Sequence, residues 1–549
     1  MIKSLRTLAC LAVLGLAATW VSAQAVVFQY SQFPMCNPSA KNPEGVPVGV
    51  YLWLPAEAKQ IRGLIVSGQT LIEREMSKDP IIRKACAEQS LGILHVRSGL
   101  NSVKLQELLD GFAAQSGYAE LSTTPLFFVG HSAGGPQARQ AAAVMADRCF
   151  GLMQYRGGGP WAGPPVTQPA TQPTTNPALM YVPAYIPSLM MTGQFDEFGG
   201  TRDAAGGEPA WQNPRKDLAD QRAAQPDALW SMIVEPGAGH FAWSEQNARY
   251  LALFIKYAAA QIPATLPADG SAPKLTRLDY KKGWLSDLSL KPASTVPAAV
   301  YTEYTGDKTL ASWHMDEALA KAAAVYHTGL SRKDQFIKWE DPYNVDAGVR
   351  FFFSKPVWVD DGMTLEVHPA YWDKVPARWP NVGEPATNGG TPIKVRTVAG
   401  ILKPIGDRKF RIVYDALSPA TEGGRNTFMA YSDGNDEYRH CEQVGMLPKN
   451  FGPGTKGKDN TITFPPIGNL KTTGAPVTLN ATADSGLKVQ YYVADGPATV
   501  VEGKLVISEV PVRAKFPIKI RVVAWQFGSL VEPLVKGATP VEQEIQLEK

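Results

Sequence analysis

The sequence predicts an α/β chain: a doubly wound, mostly parallel sheet covered by helices, followed by a β-rich region and a C-terminal β-sandwich. Three observations predict it. Up to about Ala264, apolar runs of strand length alternate with helix-length periodic segments, and continuous apolar strands separated by helices need cover on both faces. A Pro/Ala/Gly-rich stretch, "QIPATLPADGSAPKL" (Gln261–Leu275), then ends that rhythm. Beyond it strand-like runs dominate, and near the C-terminus apolar and polar residues alternate strictly in places.

The elements follow in chain order. "VVFQYSQFP…VPVGVYLWLP" alternates more than the later strands and predicts an antiparallel pair at the sheet edge. "RGLIVSG", "LGILHV", "TPLFFVG", "IPSLMMTG" and "LWSMIVEPG" are the buried strands, with helical stretches between them and a closing helix in "NARYLALFIKYAAAQI". The proline-rich insertion Gly157–Ala178 can be neither helix nor regular strand. It reads either as a solvated loop or, with Trp161, as one wall of a site at the carboxyl ends of the strands. After the linker, "SWHMDEALAKAAAVYHTG" predicts one amphipathic helix among strands such as "GVRFFFSKPVWV" and "KFRIVYDAL". Leu487, Val489, Tyr491 and Val493 share one strand face, and Ile518, Ile520, Val522 and Ala524 another. A chain of 549 residues is too long for one core. The divisions expected are 1–25, 26–264, a linker at 265–275, 276–460 and 461–549.

Charged residues make up 19% and the formal net charge is +3, a balance that argues against a nucleic-acid partner. Residues 1–25 combine Lys3 and Arg6, an apolar run Leu8–Val21, and small residues at Ala23 and Ala25. This is the pattern of a secretory signal, so export or a periplasmic location is expected. No later stretch is apolar for long enough to span a bilayer. With Cys10 in the leader, Cys36, Cys86, Cys149 and Cys441 remain. In an exported chain they are expected to pair as disulfides, with three connectivities open. The absence of any C-x-x-C spacing indicates neither zinc nor redox chemistry.

The chemistry-bearing stretch is "FFVGHSAGG". Gly130-His131-Ser132-Ala133-Gly134 fits G-x-S-x-G between a predicted strand and a predicted helix, the context in which a serine is held exposed on a strained turn. A serine nucleophile needs a base. "VEPGAGHFAW" offers His240 between the last strand and the closing helix. "MMTGQFDEFGG" offers Asp196, three residues past Gly193, to orient the imidazole, with Glu197 in reserve. The oxyanion hole needs two backbone N–H groups: one from Ala133, the other from Gln69 or Thr70 after "GLIVSG", with Gln69 taken first.

With "GHSAGG", "GQFD" and "GAGHF" in that order, residues 26–264 resemble the α/β-hydrolase superfamily in its serine esterase/lipase form. "SGLKVQYYV" followed by "GPATVV" resembles bacterial immunoglobulin-like repeats over 465–547. The first resemblance implies a serine hydrolase of carboxylic esters working through an acyl-serine, without metal or organic cofactor. The second implies a β-sandwich and no activity. "SGQT" departs from the His-Gly usual after that strand in lipases, which leaves the second oxyanion donor open.

Two other readings stand beside the esterase: a serine peptidase of the same fold, and a carbohydrate- or surface-binding protein on a hydrolase scaffold. Tyr371, Trp372 and Trp379 bear on the latter, since exposed rings stack on sugars or polymers; the plainer reading is that they pack a domain interface. An active esterase with such modules suits a polymeric or polysaccharide-linked ester. His314, Asp316 and Glu317 fit a packed helix better than a metal site, and His440 beside Cys441 is a poor one.

Overall fold

The computed structural model describes residues 28–549 apart from 38–42, 69–70, 158–181, 196–211, 289–295, 341–351, 354–356, 377–378, 380, 421–425 and 448–450. Eight strands form the principal sheet: β1 (Tyr30–Gln32), β2 (Val50–Trp53), β3 (Gly63–Gly68), β4 (Leu91–Val96), β5 (Leu126–His131), β6 (Cys149–Tyr155), β7 (Ser188–Gly193) and β8 (Trp230–Glu235). Their spatial order is β1-β2-β4-β3-β5-β6-β7-β8. The expected antiparallel pair lies at the edge, Tyr30 opposite Leu52. β2 is also antiparallel to β4, and every pairing beyond β4 is parallel.

The strands β2 to β8 are buried along their whole length because both faces are covered. Ile65, Phe127 and Val129 point into one core with α1 (Ile72–Lys78), α2 (Pro80–Glu88) and α6 (Glu245–Ala258). Leu64, Val66, Leu126 and Phe128 point into the other with α3 (Leu105–Ser116) and α4 (Gly134–Val144), while α5 (Gln212–Ala224) precedes β8 in the chain. Period-2 alternation between two apolar layers is what makes each strand read as an unbroken apolar run. Each fully buried Phe or Leu contributes roughly 1.5–3 kcal/mol.

The later parts of the chain are extensions of these two cores. α7 (Glu317–Thr328) adds Leu319, Ala323 and Tyr326 to the α6 side, and Leu266 and Leu275 of the expected linker are buried there too. A four-stranded sheet contains β9 (Lys394–Ala399), β10 (Thr427–Ser432) and β11 (Cys441–Met446). It sends Val398, Met429 and Val444 into the same core. On the opposite side Ile518, Ile520 and Val522 of β13 (Ile518–Gln526) and Ile545 and Leu547 of β14 (Ala538–Glu548) join the α3/α4 core.

The expected single apolar face around Tyr491 is only part of the pattern. In β12 (Gln490–Asp495), Tyr491 and Val493 pack toward the α3/α4 core, while Tyr492 and Ala494 are buried in a third cluster with Trp525 and Phe527. The strand is covered on both faces because it lies between the β-rich region and the hydrolase-like part. C-terminal strands form a four-stranded and a three-stranded sheet, β12, β13 and β14 belonging to the first.

The expected disulfides do not form. Cys36, Cys86, Cys149 and Cys441 are all free and buried. They are spread over three cores: Cys86 lies in the α6-side core, Cys36 and Cys149 in the α3/α4 core, and Cys441 in the third cluster. Burial pushes the Cys86 and Cys149 thiols up to about 12. They act as small apolar side chains. Among the described residues, no helix is long and apolar enough to cross a membrane.

Candidate functional site

β5 ends at His131 and α4 begins at Gly134, so two residues turn the chain from strand to helix. Ser132 takes φ +52°, a conformation a β-carbon resists at a cost of about 1–3 kcal/mol. Close packing enforces it. A Cβ on Gly130 would lie 2.1 Å from the Gly134 oxygen, and one on Gly157 2.5 Å from the Ser132 Cα. Only glycine admits both approaches. Ser132 N–H donates to Tyr155 O at 3.0 Å, and Gly135 N–H to Ser132 O at 3.0 Å. Ala133 stands at the head of α4, where helix amides face outward.

The segment between β8 and α6 brings His240 against this corner. His240 is 3% exposed. Its ring centroid lies 4.8 Å from that of His131, and His131 Nε2 is 2.9 Å from His240 O. His131, inside the G-x-S-x-G turn, thus ties the elbow to the histidine loop. At the end of β7, Gln194 N–H donates to Glu235 O and Phe195 N–H to Ala238 O, each at 3.0 Å, so the loop leading to Asp196 starts against the same segment. Asp196, Glu197, Gln69, Thr70 and Trp161 lie outside the described residues.

Two buried acids nearby escaped the sequence reading. Glu73, on α1, accepts from His131 N–H at 2.5 Å and is fully buried. Burial pushes its carboxyl up to about 8, against the lowering effect of the His131 amide. Glu235 pairs with the buried Arg156 guanidinium. It also accepts from Ser244 Oγ at 3.1 Å and Asn247 Nδ2 at 2.8 Å, while Tyr326 Oη donates to Asn247 Oδ1 at 2.9 Å. The network joins the ends of β6 and β8 to α6 and α7, holding both ends of the histidine loop.

The β-rich region reaches the loop's middle. Glu442 Oε1 accepts from Gly239 N–H at 2.9 Å, and Arg396 donates to Phe241 O at 2.9 Å and to Trp243 O. Arg439 Nη1 donates to Gln194 Oε1 at 2.8 Å, which also accepts Gly237 N–H at 2.9 Å. Nothing in the sequence signals these residues, since they stand more than 150 positions away.

Of the aromatics singled out, Trp379 packs edge-on against Phe195 at 4.3 Å and Phe336 at 4.6 Å. Tyr371 Oη donates to Thr391 O at 2.8 Å. Trp379 therefore packs between the β-rich region and the segment leading to Asp196. Trp372 lines a cleft there with His440 and Glu442. His314 is hydrogen-bonded within the core, 3.2 Å from Tyr250 Oη and 2.7 Å from Ser286 Oγ. Among the described residues no three metal-ligating side chains come together.

An eight-stranded, mostly parallel sheet, a left-handed serine between β5 and α4, and a histidine loop after the last strand define residues 30–264 as resembling an α/β-hydrolase. No protein-family model and no curated protein matches the chain. Among solved structures it is similar to LpqC, a poly(3-hydroxybutyrate) depolymerase from Bordetella parapertussis, at 15% identity and TM-score 0.27, over 40% of this chain and 86% of that one. It is similar also to an S-formylglutathione hydrolase from Agrobacterium tumefaciens, at 12% identity and TM-score 0.26, over 44% of this chain and 100% of that one. A third is the esterase domain of a Rhodothermus marinus protein, at 15% identity and TM-score 0.26, over 41% of this chain and 97% of that one. The fold resemblance rests on the strand order and the elbow, to which likenesses of this size add no weight.

Two predictions follow from the buried acids. The folded Glu73 carboxyl titrates near 8 and an ordinary one near 4.5, so the folded state retains a proton the unfolded chain has lost. Stability from this group is full below pH 4.5 and falls by up to about 1.4 kcal/mol per pH unit as pH rises toward 8. Glu73→Gln should flatten that decline in urea unfolding at pH 5 to 8. Glu235→Gln removes the counter-charge of a buried guanidinium and should cost about 3–5 kcal/mol, read from the urea midpoint.

Proposed function

We propose that the chain is a serine hydrolase of carboxylic esters, with Ser132 as nucleophile, His240 as general base and Asp196 as the acid that orients it. The observation that supports the reading most is the left-handed Ser132 at the head of α4, with the His240 loop packed against it. A hydroxyl gains nothing in stability from such a corner; exposure above the strand ends is what it gains.

In this reading His240 takes the Ser132 proton as Oγ bonds to the ester carbonyl carbon. The carbonyl electron pair moves onto oxygen, where the Ala133 amide and a second amide, Gln69 or Thr70, donate to it. Each donor is worth roughly 3 kcal/mol in comparable sites. As the tetrahedral species collapses, the C–O bond to the alcohol breaks and His240 returns the proton to the departing oxygen. Water, deprotonated by His240, then cleaves the acyl-serine to acid and free Ser132. Asp196 holds the imidazole in the tautomer that accepts from Ser132 and stabilises the imidazolium. Glu197 is the reserve for that role.

Residues 1–25 are proposed as an export signal, which places the enzyme outside the cytoplasm. The β-rich half is proposed to suit a polymeric or polysaccharide-linked ester.

The test is hydrolysis of p-nitrophenyl acetate, butyrate and a long-chain ester. Ser132→Ala and His240→Ala should each lower kcat by at least about 10³-fold in a folded protein. Asp196→Asn should cost about 10³–10⁴-fold and Glu197→Gln less than about threefold. The reverse order makes Glu197 the acid; an inactive parent sinks the esterase reading.

A further inference from the structure

We propose that the β-rich region completes the active site, with Glu442 as a positioning residue that aims His240 through the Gly239 peptide. This rests on the serine-hydrolase reading above.

Within the histidine loop the backbone closes one turn, Ala238 N–H donating to Glu235 O at 3.4 Å. It joins β8 to α6 through Gly237 and Gly239, residues with the widest backbone freedom. Besides the Phe195 amide, which donates to Ala238 O at 3.0 Å, side chains from outside hold its groups. His131 meets the carbonyl of His240 and Tyr155 that of Ala242. On either side of His240, Gly239 N–H and Phe241 O go to Glu442 and Arg396. An acid takes the amide before the histidine and a base takes the carbonyl after it.

Both come from one face of one sheet. Arg396 stands opposite Met429, and Met429 opposite Val444, so the three share a face. Glu442 lies two residues from Val444 on β11, on the same face. Met429 and Val444 are 0% and 2% exposed in the core of the hydrolase-like part, which seats the sheet there. The spacing of the two anchors is therefore set by a strand ladder, not by flexible loops.

Glu442 is placed to hold this position. Its side chain is 3% exposed, and Oε2 lies 2.9 Å from His440 Nε2 while Oε1 takes the Gly239 amide. Burial alone would raise its carboxyl. The bond and charge of His440, then Arg396 and Arg156, hold it below the usual range. The approach is close: a Cβ on Gly237, at φ +75°, would lie 1.9 Å from His440 O. A base displaced by about 1 Å loses on the order of 10²-fold in rate.

The test compares the full-length parent with Ser132→Ala, Glu442→Ala, Glu442→Gln and Glu442→Asp. It measures ester hydrolysis, inactivation by an alkyl fluorophosphonate that labels reactive serines, and hydrogen exchange of residues 236–244. Glu442→Ala should lower kcat and the maximal labelling rate at least tenfold, with KM and the probe's half-saturation within threefold of the parent. Glu442→Gln, which still accepts from Gly239, should recover to within threefold. Residues 236–244 should exchange faster in Glu442→Ala alone of these two. If Glu442→Ala fails to fold, Glu442→Asp, one methylene short of Gly239, should show the tenfold loss. A folded Glu442→Ala or Glu442→Asp that labels within twofold of the parent overturns the proposal, as does a loss carried entirely by KM. A parent that neither labels nor hydrolyses, like Ser132→Ala, removes the serine-hydrolase reading itself and the catalytic role of Glu442 with it.

Discussion

A serine held at φ +52° is tolerated only where its surroundings leave no alternative. Here the constraint comes from three directions. Gly130 and Gly157 let the α4 start and the β6 end approach closer than any side chain would allow. The ladder to β6 continues past His131 to the amide of Ser132 itself. Beneath the corner, Glu73 takes the His131 amide, so a buried carboxyl joins α1 to the elbow.

Around this fixed corner the other parts differ in how they are held. The strand ends need little help, being buried on both sides. The histidine loop depends on side chains at both ends, Glu235 and Asn247, and on Arg396 and Glu442 in its middle. The β-rich region touches the α1 side as well, with Arg74 Nη1 donating to Ser418 Oγ at 2.5 Å and Tyr51 Oη to Ala416 O at 2.8 Å. It behaves as part of the scaffold around the carboxyl ends of the strands. Trp379, seated between Phe195 and Phe336, belongs to the same contact.

What was legible in the sequence follows the range of the forces involved. The principal sheet could be read because burial on both faces imposes an apolar run, and that run is local. Ser132 could be read because a sharp strand-to-helix corner demands glycines at fixed offsets. His240 stood out by its place after the last strand. The disulfides failed because cysteine count carries no information about which core each thiol enters; Cys86 and Cys441 end in different ones. The alternation around Tyr491 shows one apolar face where the fold buries two, Tyr492 facing the other, since alternation cannot announce a second partner. Arg396, Glu442 and Glu73 were invisible for the plainest reason. A charged residue written far from the loop it meets looks like any surface charge until the chain is folded.

The same long reach bears on the order in which the molecule is made. Trp53 Nε1 donates to Glu509 Oε2 across 456 positions, and the outer strands β13 and β14 fill a core begun by β3 and β5. During synthesis the segment bearing Ser132 and His240 therefore emerges with one apolar flank still bare and with no carboxylate waiting for the Gly239 amide. Contacts of such separation form late and slowly. The first half of this chain spends its early life as an unfinished surface, in need of shelter until its last hundred residues arrive.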